Sequence, residues 1–124
     1  MSNYYELIDK YFASLNETDG ESRSELIEQV WAKNGKFVSP LGIAVGHAAI
    51  DAKVQKGLEQ LAGSEVRRAS DIETLHDCLR FKFEVINKEG EAFIGGVDFG
   101  VVADGKLQSM TGFFDFAPSV QMDK

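Results

Sequence analysis

The sequence predicts an α+β fold in which three helices cover one face of a curved, mostly antiparallel sheet. In the first half of the chain, apolar residues recur at helical spacing. In the second half, long apolar segments are separated by hairpin-type turns at Asn87–Gly90 and Ala103–Lys106. Strands joined by such turns form a meander whose apolar face needs a cover. We therefore expect a cone-shaped sheet with an internal pocket, in one domain spanning residues 1–124.

Three helices are expected before residue 64. The first presents an apolar face from Tyr4 to Leu15. Ser22 and Glu25 have the spacing of a capping box, so we expect the second helix to begin there and to end at Asn34-Gly35. The third runs from about residue 48 to Gly63 and carries an apolar stripe on one face.

The strands follow from the turn positions. The two hairpin turns separate strands at about 75–87, 91–102 and 106–117. A more polar strand is expected before them, at 65–73.

Composition and charge restrict the classes of partner. An apolar fraction of 44% with nine phenylalanines is enough for a hydrophobic core. The formal net charge is −7, and an acidic surface repels the phosphates of nucleic acids and anionic membranes. No run approaches the roughly 18 apolar residues of a membrane span, and no secretory signal is recognised. We expect a cytoplasmic protein that binds neither nucleic acid nor membrane.

Motifs for metals and cofactors are absent from the sequence. Cys78 is the single cysteine, and the two histidines are His47 and His76. This excludes a cysteine-based zinc cluster and the helical His-x-x-x-His pattern. Phosphate-binding loops and dinucleotide fingerprints are also missing, so we expect no metal and no cofactor.

Several segments together resemble the nuclear transport factor 2-like superfamily, in its SnoaL-like and ketosteroid isomerase-like branch. They are Trp31, "FVSPLG" from Phe37, "GHAAI" from Gly46, "LRFKFEV" from Leu79 and "GKLQSMTGFFD" from Gly105. The resemblance implies the same cone-shaped fold from Tyr4 to Phe116. For function it implies little, because this fold hosts isomerases, cyclases, hydrolases, dehydratases and non-catalytic adaptors.

Asp98 and Tyr11 are the first candidates for chemistry. Asp98 lies inside an apolar strand, where a buried carboxylate is costly unless it is paired or protonated. The resemblance matches Asp98 and Tyr11 to the two oxyanion donors of ketosteroid isomerases, in which the acid stays neutral in an apolar site. The alternatives are an aspartate on the solvated sheet face and a core tyrosine.

Asp115 and His76 are the other candidate catalytic residues. Asp115 resembles an aspartate that SnoaL-like cyclases use near the end of the last strand. If Phe114 faces inward, however, Asp115 faces outward unless a bulge intervenes. Near the start of the strand at 75–87, either His76 or Asp77 is expected to reach the cavity as a general base.

The cavity wall is expected to be aromatic. We predict that Trp31, Phe37, Phe83 and Phe114 contact a flat apolar ligand. Ser39 is also expected to contact the ligand, at the cavity mouth and at the position that resembles the general-base aspartate of ketosteroid isomerases. A serine hydroxyl without activation is a poor base, so chemistry of that kind is disfavoured.

The sequence therefore predicts a small-molecule-binding, SnoaL-like protein. Its chemistry would be cofactor-independent isomerisation or cyclisation of a polyketide-like or steroid-like carbonyl compound, with an aspartate moving the proton. The alternative is a ligand-binding or dimerisation module without chemistry. We also expect a homodimer, formed through the convex sheet face that carries Arg80, Lys82 and Glu84.

Overall fold

A computed structural model describes residues 4–117, and it contains three helices and seven strands in that range. Two helices come first, α1 (Tyr4–Asn16) and α2 (Gly20–Val30), followed by β1 (Trp31–Ser39) and β2 (Gly42–Val45). The third helix, α3, is His47–Gln60. The remaining strands are β3 (Glu65–Arg68), β4 (Glu73–Leu75), β5 (Cys78–Ile86), β6 (Ala92–Ala103) and β7 (Lys106–Phe116).

The strands form one mixed sheet in the order β2-β1-β7-β6-β5-β3, with β4 paired to β5 beside β3. All pairings are antiparallel except that of β1 with β7, which is parallel. The three helices cover one face of this curved sheet. The predicted α+β cone is thereby confirmed.

The core lies between the helices and the concave face of the sheet. Each helix contributes a short apolar stripe: Ile8, Tyr11 and Phe12 from α1, Ile27 and Val30 from α2, Ile50 and Val54 from α3. Alternate residues of β5 face these stripes, and Leu79, Phe81, Phe83 and Val85 are buried. None of the helices in the described range is long and apolar enough to span a membrane.

The second helix differs from the prediction at both ends. Its N-cap is Asp19, three residues before Ser22 of the expected capping box, because the side chain of Asp19 accepts a hydrogen bond from the amide of Ser22. It ends at Val30, since Trp31 already has an extended backbone and opens β1. Gly35 therefore lies in a strand. A Cβ there would come within 2.8 Å of the Trp31 ring, so only glycine fits beside it.

Two strand predictions also need correction. The polar strand expected at 65–73 is two short strands, β3 and β4, separated by residues 69–72. The strand expected from 75 begins at Cys78, because His76 and Asp77 form the tight turn between β4 and β5. His76 adopts a left-handed backbone with a φ of 56°. The short strand β2, which pairs with β1 after the Pro40 turn, was not predicted.

A buried arginine joins the helical elements. Arg23 on α2 is 4% exposed, and its Nε lies 2.6 Å from Oδ1 of Asp51 on α3. The same guanidinium donates to the side-chain oxygen of Gln55 and to the carbonyl oxygen of Glu17, both at 2.8 Å. This network fixes α3 relative to the α1–α2 connection, and α3 forms one wall of the cavity described next.

Candidate active site

A cavity of about 140 Å³ lies between α1, α3 and the concave face of the sheet. Its wall is mainly apolar and includes aromatic rings from three strands, Phe37 on β1, Phe83 on β5 and Phe114 on β7. The polar and charged side chains that interrupt this wall are Tyr11, Asn16, Ser39, Lys53, Lys56, Gln60, Ser64 and Asp98. An apolar cavity with a few polar groups is the usual form of a small-molecule site.

Asp98 and Tyr11 form a buried pair in this cavity. Asp98 is 4% exposed and Tyr11 is 1% exposed. The Tyr11 hydroxyl lies 3.2 Å from Oδ2 of Asp98, at hydrogen-bond distance. Tyr11 is itself held by edge-on aromatic contacts, with ring centroids 6.1 Å from that of Phe37 and 6.2 Å from that of Phe81.

The surroundings of this pair favour its neutral forms. Loss of hydration raises the pKa of Asp98 to about 7, although the hydrogen bond from Tyr11 acts in the opposite direction. Burial raises the pKa of Tyr11 well above its ordinary value, and the charge and hydrogen bond of Asp98 add to that effect. Asp98 therefore exchanges a proton near neutral pH, whereas Tyr11 stays protonated and can donate a hydrogen bond.

Gly112 provides the space for the Asp98 carboxyl group. It lies opposite Asp98 on the neighbouring strand β7. A Cβ added at Gly112 would come within 2.6 Å of Oδ1 of Asp98, which is closer than ordinary contact. The absence of a side chain at this position lets the acid point into the cavity.

A lysine also lines the cavity, beside Ser39. Lys53 on α3 places its Nζ 2.7 Å from the Ser39 hydroxyl and 3.1 Å from the carbonyl oxygen of Gly42. The same nitrogen lies 5.0 Å from the centre of the Phe37 ring. Lys53 was not predicted from the sequence, where α3 reads as an amphipathic helix with lysines on its polar face.

Lys53 loses hydration in this position. Burial lowers its pKa to about 8, and the positive charge of Lys56 contributes to the change. None of the ion pairs in the described part of the chain joins Lys53 to a carboxylate. The site thus holds an acid and an amine that both titrate near neutral pH.

Four of the five residues predicted to contact a ligand line the cavity: Phe37, Ser39, Phe83 and Phe114. Trp31 does not. It is 1% exposed and packs beside Phe37, with ring centroids 5.4 Å apart, so it belongs to the core outside the cavity wall. Its carbonyl oxygen lies 2.9 Å from Nε2 of His47, which holds the start of α3 against the start of β1.

His76 and Asp115 lie outside the cavity, contrary to the sequence-based expectation. His76 is exposed in the β4–β5 turn, and so is Asp77. Asp115 is exposed as the extra residue of a bulge in β7, where Phe114 and Phe116 pair with the consecutive residues Gly96 and Gly95. Phe114 faces the cavity and Asp115 is exposed, so the bulge does not bring Asp115 into the cavity.

Within residues 4–117, no cluster of three or more histidine, cysteine or carboxylate side chains has the geometry of a metal site. Asp98 is the one carboxyl group among the described residues that line the cavity.

Comparisons with known proteins agree with this geometry. No protein-family model and no curated protein sequence matches the chain. A SnoaL-like family protein from Agrobacterium tumefaciens has a similar structure, with 28% identity and a TM-score of 0.86, over 93% of this chain and 99% of that one. The chain shares the nuclear transport factor 2-like fold, and its structural neighbours are SnoaL-like and ketosteroid isomerase-like proteins.

More distant neighbours share the fold of this SnoaL-like protein. One, from Jannaschia sp. CCS1, is provisionally named a SnoaL-like polyketide cyclase. It is 13% identical, the match covers 90% of this chain and 86% of that chain, and the TM-score is 0.67. Another, from Kribbella flavida, is provisionally named a ketosteroid isomerase. It is 19% identical, the match covers 94% of this chain and 81% of that chain, and the TM-score is 0.66.

Proposed function

We propose that this SnoaL-like protein binds an apolar carbonyl compound of polyketide-like or steroid-like shape and isomerises or cyclises it without a cofactor. Asp98 is the group that transfers the proton, and Tyr11 stabilises the intermediate. The observation that carries the proposal is the buried Asp98–Tyr11 pair inside an apolar cavity. A general base is most effective when its pKa lies near the working pH, as the value of about 7 for Asp98 does.

The proposed reaction begins with Asp98 ionised. Its carboxylate removes a proton from the carbon next to the substrate carbonyl, so the C–H bond breaks and an O–H bond forms on Asp98. The electron pair moves to the carbonyl oxygen and gives an enolate, which accepts a hydrogen bond from Tyr11. In a β,γ-unsaturated substrate the enolate is a dienolate, and Asp98 then returns the proton to its γ-carbon, so the double bond moves into conjugation and the isomerisation is complete. In a ring closure, the enolate carbon instead attacks a second carbonyl and Asp98 delivers its proton to that oxygen.

Proton exchange on a model ketone tests this proposal. We would incubate 2-tetralone with the protein in D₂O and follow deuterium incorporation beside the carbonyl by NMR. Asp98→Asn should reduce the protein-dependent exchange rate by about 100-fold or more, in line with loss of a general base. Asp115→Asn and His76→Gln are matched controls, because these exposed residues lie outside the cavity. An Asp98→Asn rate equal to that of the unchanged protein would refute the proposal.

Binding without turnover is the second candidate function, and the environment of Ser39 favours it. The Ser39 hydroxyl already accepts hydrogen bonds from Lys53 and from the amide of Leu41, at 2.7 and 3.2 Å. This end of the cavity thus presents no carboxylate base among the described residues. Saturable binding of 2-tetralone with no exchange above the buffer rate would select this candidate.

We further propose that the chain forms a homodimer through its outer sheet face and acts in the cytoplasm. The outer face carries Phe99 and Phe113, which are 44% and 61% exposed, next to the charged residues Arg80 and Lys82 of β5. A two-fold axis through this face would cover both rings. Light scattering should then give twice the chain mass, and Phe113→Glu should give a monomer; a monomeric unchanged protein would contradict the proposal.

A further inference from the structure

We propose that the ligand of this cavity carries an anionic group that binds Lys53, so that the ligand class is an apolar carboxylic acid or acidic enol with a carbonyl at its other end. This inference rests on the proposed function insofar as it uses the same cavity. It adds a charge to the ligand and an orientation to its binding.

The position of Lys53 supports the inference. Its Nζ has two oxygen acceptors, the Ser39 hydroxyl and the Gly42 carbonyl, and it lies against the face of Phe37. These contacts place the nitrogen at the cavity wall and occupy two of the three donors of an ammonium group. The third donor has no acceptor among the described residues, and we infer that it serves the ligand. Both acceptors are neutral, and none of the ion pairs in residues 4–117 supplies a counter-ion.

The charges of the side chains that line the cavity also support an anionic ligand. The whole chain has a formal net charge of −7. Nevertheless, two of the side chains that line the cavity are lysines, Lys53 and Lys56. The one described carboxyl group of the lining, that of Asp98, is neutralised in part near pH 7 by its raised pKa. The cavity lining is therefore more positively charged than the protein as a whole, and this charge favours the binding of anions over cations.

The partial burial of Lys53 also supports an anionic ligand. Its pKa is lowered because the ammonium loses hydration that its neutral neighbours do not replace. An anion at hydrogen-bond distance would replace the lost hydration, and a charge-assisted bond in a partly dry site is stronger than one at the surface. A neutral ligand of the same shape would leave the ammonium as poorly solvated as before.

The inference fixes how the ligand lies. Lys53 projects from α3, whereas Asp98 and Tyr11 belong to β6 and α1. The anionic end would lie at Ser39 and Lys53, and the carbonyl would reach Tyr11 and Asp98. The reacting carbon would then lie beside the Asp98 carboxyl group in each binding event. Lys53 acts here as a binding and positioning residue and takes no proton from the substrate.

Paired probes of equal shape test this inference. We would titrate the protein at pH 7 with 2-naphthoate, which is an anion, and with 2-naphthamide, which is neutral, and measure both affinities by calorimetry. The unchanged protein should bind the naphthoate about tenfold or more tightly than the amide, as expected for a hydrogen bond to a charged group. Lys53→Met should abolish that preference by weakening naphthoate binding about tenfold, and should change amide binding less than about twofold.

Two further variants test whether the preference for naphthoate depends on the charge at position 53. Lys33→Met removes the same charge from an exposed residue outside the cavity lining and should leave both affinities unchanged. Lys53→Arg keeps the charge and should retain the preference for naphthoate. Circular dichroism of each variant checks that the fold is intact before the titration.

The outcomes separate this inference from the proposed function. Equal binding of the two probes, or a naphthoate preference that survives Lys53→Met, would overturn the inference while leaving an apolar ligand cavity in place. Failure of both probes to bind, together with no exchange on 2-tetralone, would overturn the inference and the proposed function together.

Discussion

Replacing Asp98 by asparagine should make this SnoaL-like protein more stable at alkaline pH and less dependent on pH. Asparagine has the same shape as aspartate and can still accept a hydrogen bond from Tyr11, but it carries no charge at any pH. In the folded protein Asp98 has a pKa of about 7, compared with an ordinary value of 3.8 in a solvated chain. The unfolded chain therefore releases this proton at a lower pH than the folded protein does.

The sign and the size of the effect follow from this difference. Between about pH 4 and pH 7 the folded protein holds one more proton than the unfolded chain, so rising pH favours unfolding. The pKa difference of about 3 corresponds to about 4 kcal/mol of the free energy of unfolding, lost progressively across that window. Asp98→Asn should consequently be about 4 kcal/mol more stable than the unchanged protein at pH 8. At pH 4 the two should agree within about 1 kcal/mol.

Urea unfolding, followed by circular dichroism at several pH values from 4 to 8, measures this difference. Asp115→Asn is the control, since Asp115 is exposed and its replacement should change stability by less than about 0.5 kcal/mol at every pH. The reasoning is refuted if Asp98→Asn is less stable than the unchanged protein at pH 8, or if the difference between the two does not vary with pH.

Three more predictions concern the neighbours of this acid and the helical layer. Tyr11→Phe removes the hydrogen bond that lowers the pKa of Asp98, so carboxyl NMR should show the Asp98 titration moving above pH 7; an unchanged midpoint would contradict the contact. Gly112→Ala places a methyl group on Asp98 and should reduce exchange on 2-tetralone about tenfold or more; full activity would contradict the assigned position. Arg23→Ala breaks a buried ion pair and should cost about 3 kcal/mol in urea unfolding, whereas Arg67→Ala at an exposed pair should cost less than about 1 kcal/mol; equal losses would refute this distinction.

The regular parts of the fold are predictable from sequence because local chemistry determines them. The Asp104-Gly105 turn sets the hairpin between β6 and β7, and Asp104 adopts the positive φ that such a turn requires. The apolar repeats of α1 and α3 match the faces that are buried. Alternation along β5 likewise predicts its buried face.

The errors fall where local signals compete. Asp19 and Ser22 can both cap a helix, and the chain uses the earlier one, so the start of α2 is misplaced in the prediction. The β4–β5 turn contains no glycine, and its positive-φ residue is His76, so its sequence gives a weaker turn signal than Asp104-Gly105 does. The β2 strand has only four residues, which is too short for a periodic signal.

The site could be predicted only in part, for a related reason. Asp98 stands out because its residue type conflicts with the apolar strand around it, and the structure places it beside Tyr11 in the cavity. His76 lies in a turn that its residue type does not predict, and Asp115 is exposed beside a bulge whose position the sequence of β7 does not indicate. Lys53 reads as an ordinary surface lysine, since its contact with Ser39 depends on how α3 rests on the sheet.

The most direct test of the central claim is a carbon-13 NMR titration of the Asp98 carboxyl group, with Asp98→Asn to assign the signal. The structure predicts a midpoint near pH 7, because the group is buried in an apolar cavity. It also predicts that bound 2-naphthoate leaves the signal of the exposed Asp115 unchanged while shifting that of Asp98. A midpoint near 4 with no response to ligand would place Asp98 in water and contradict its role in proton transfer.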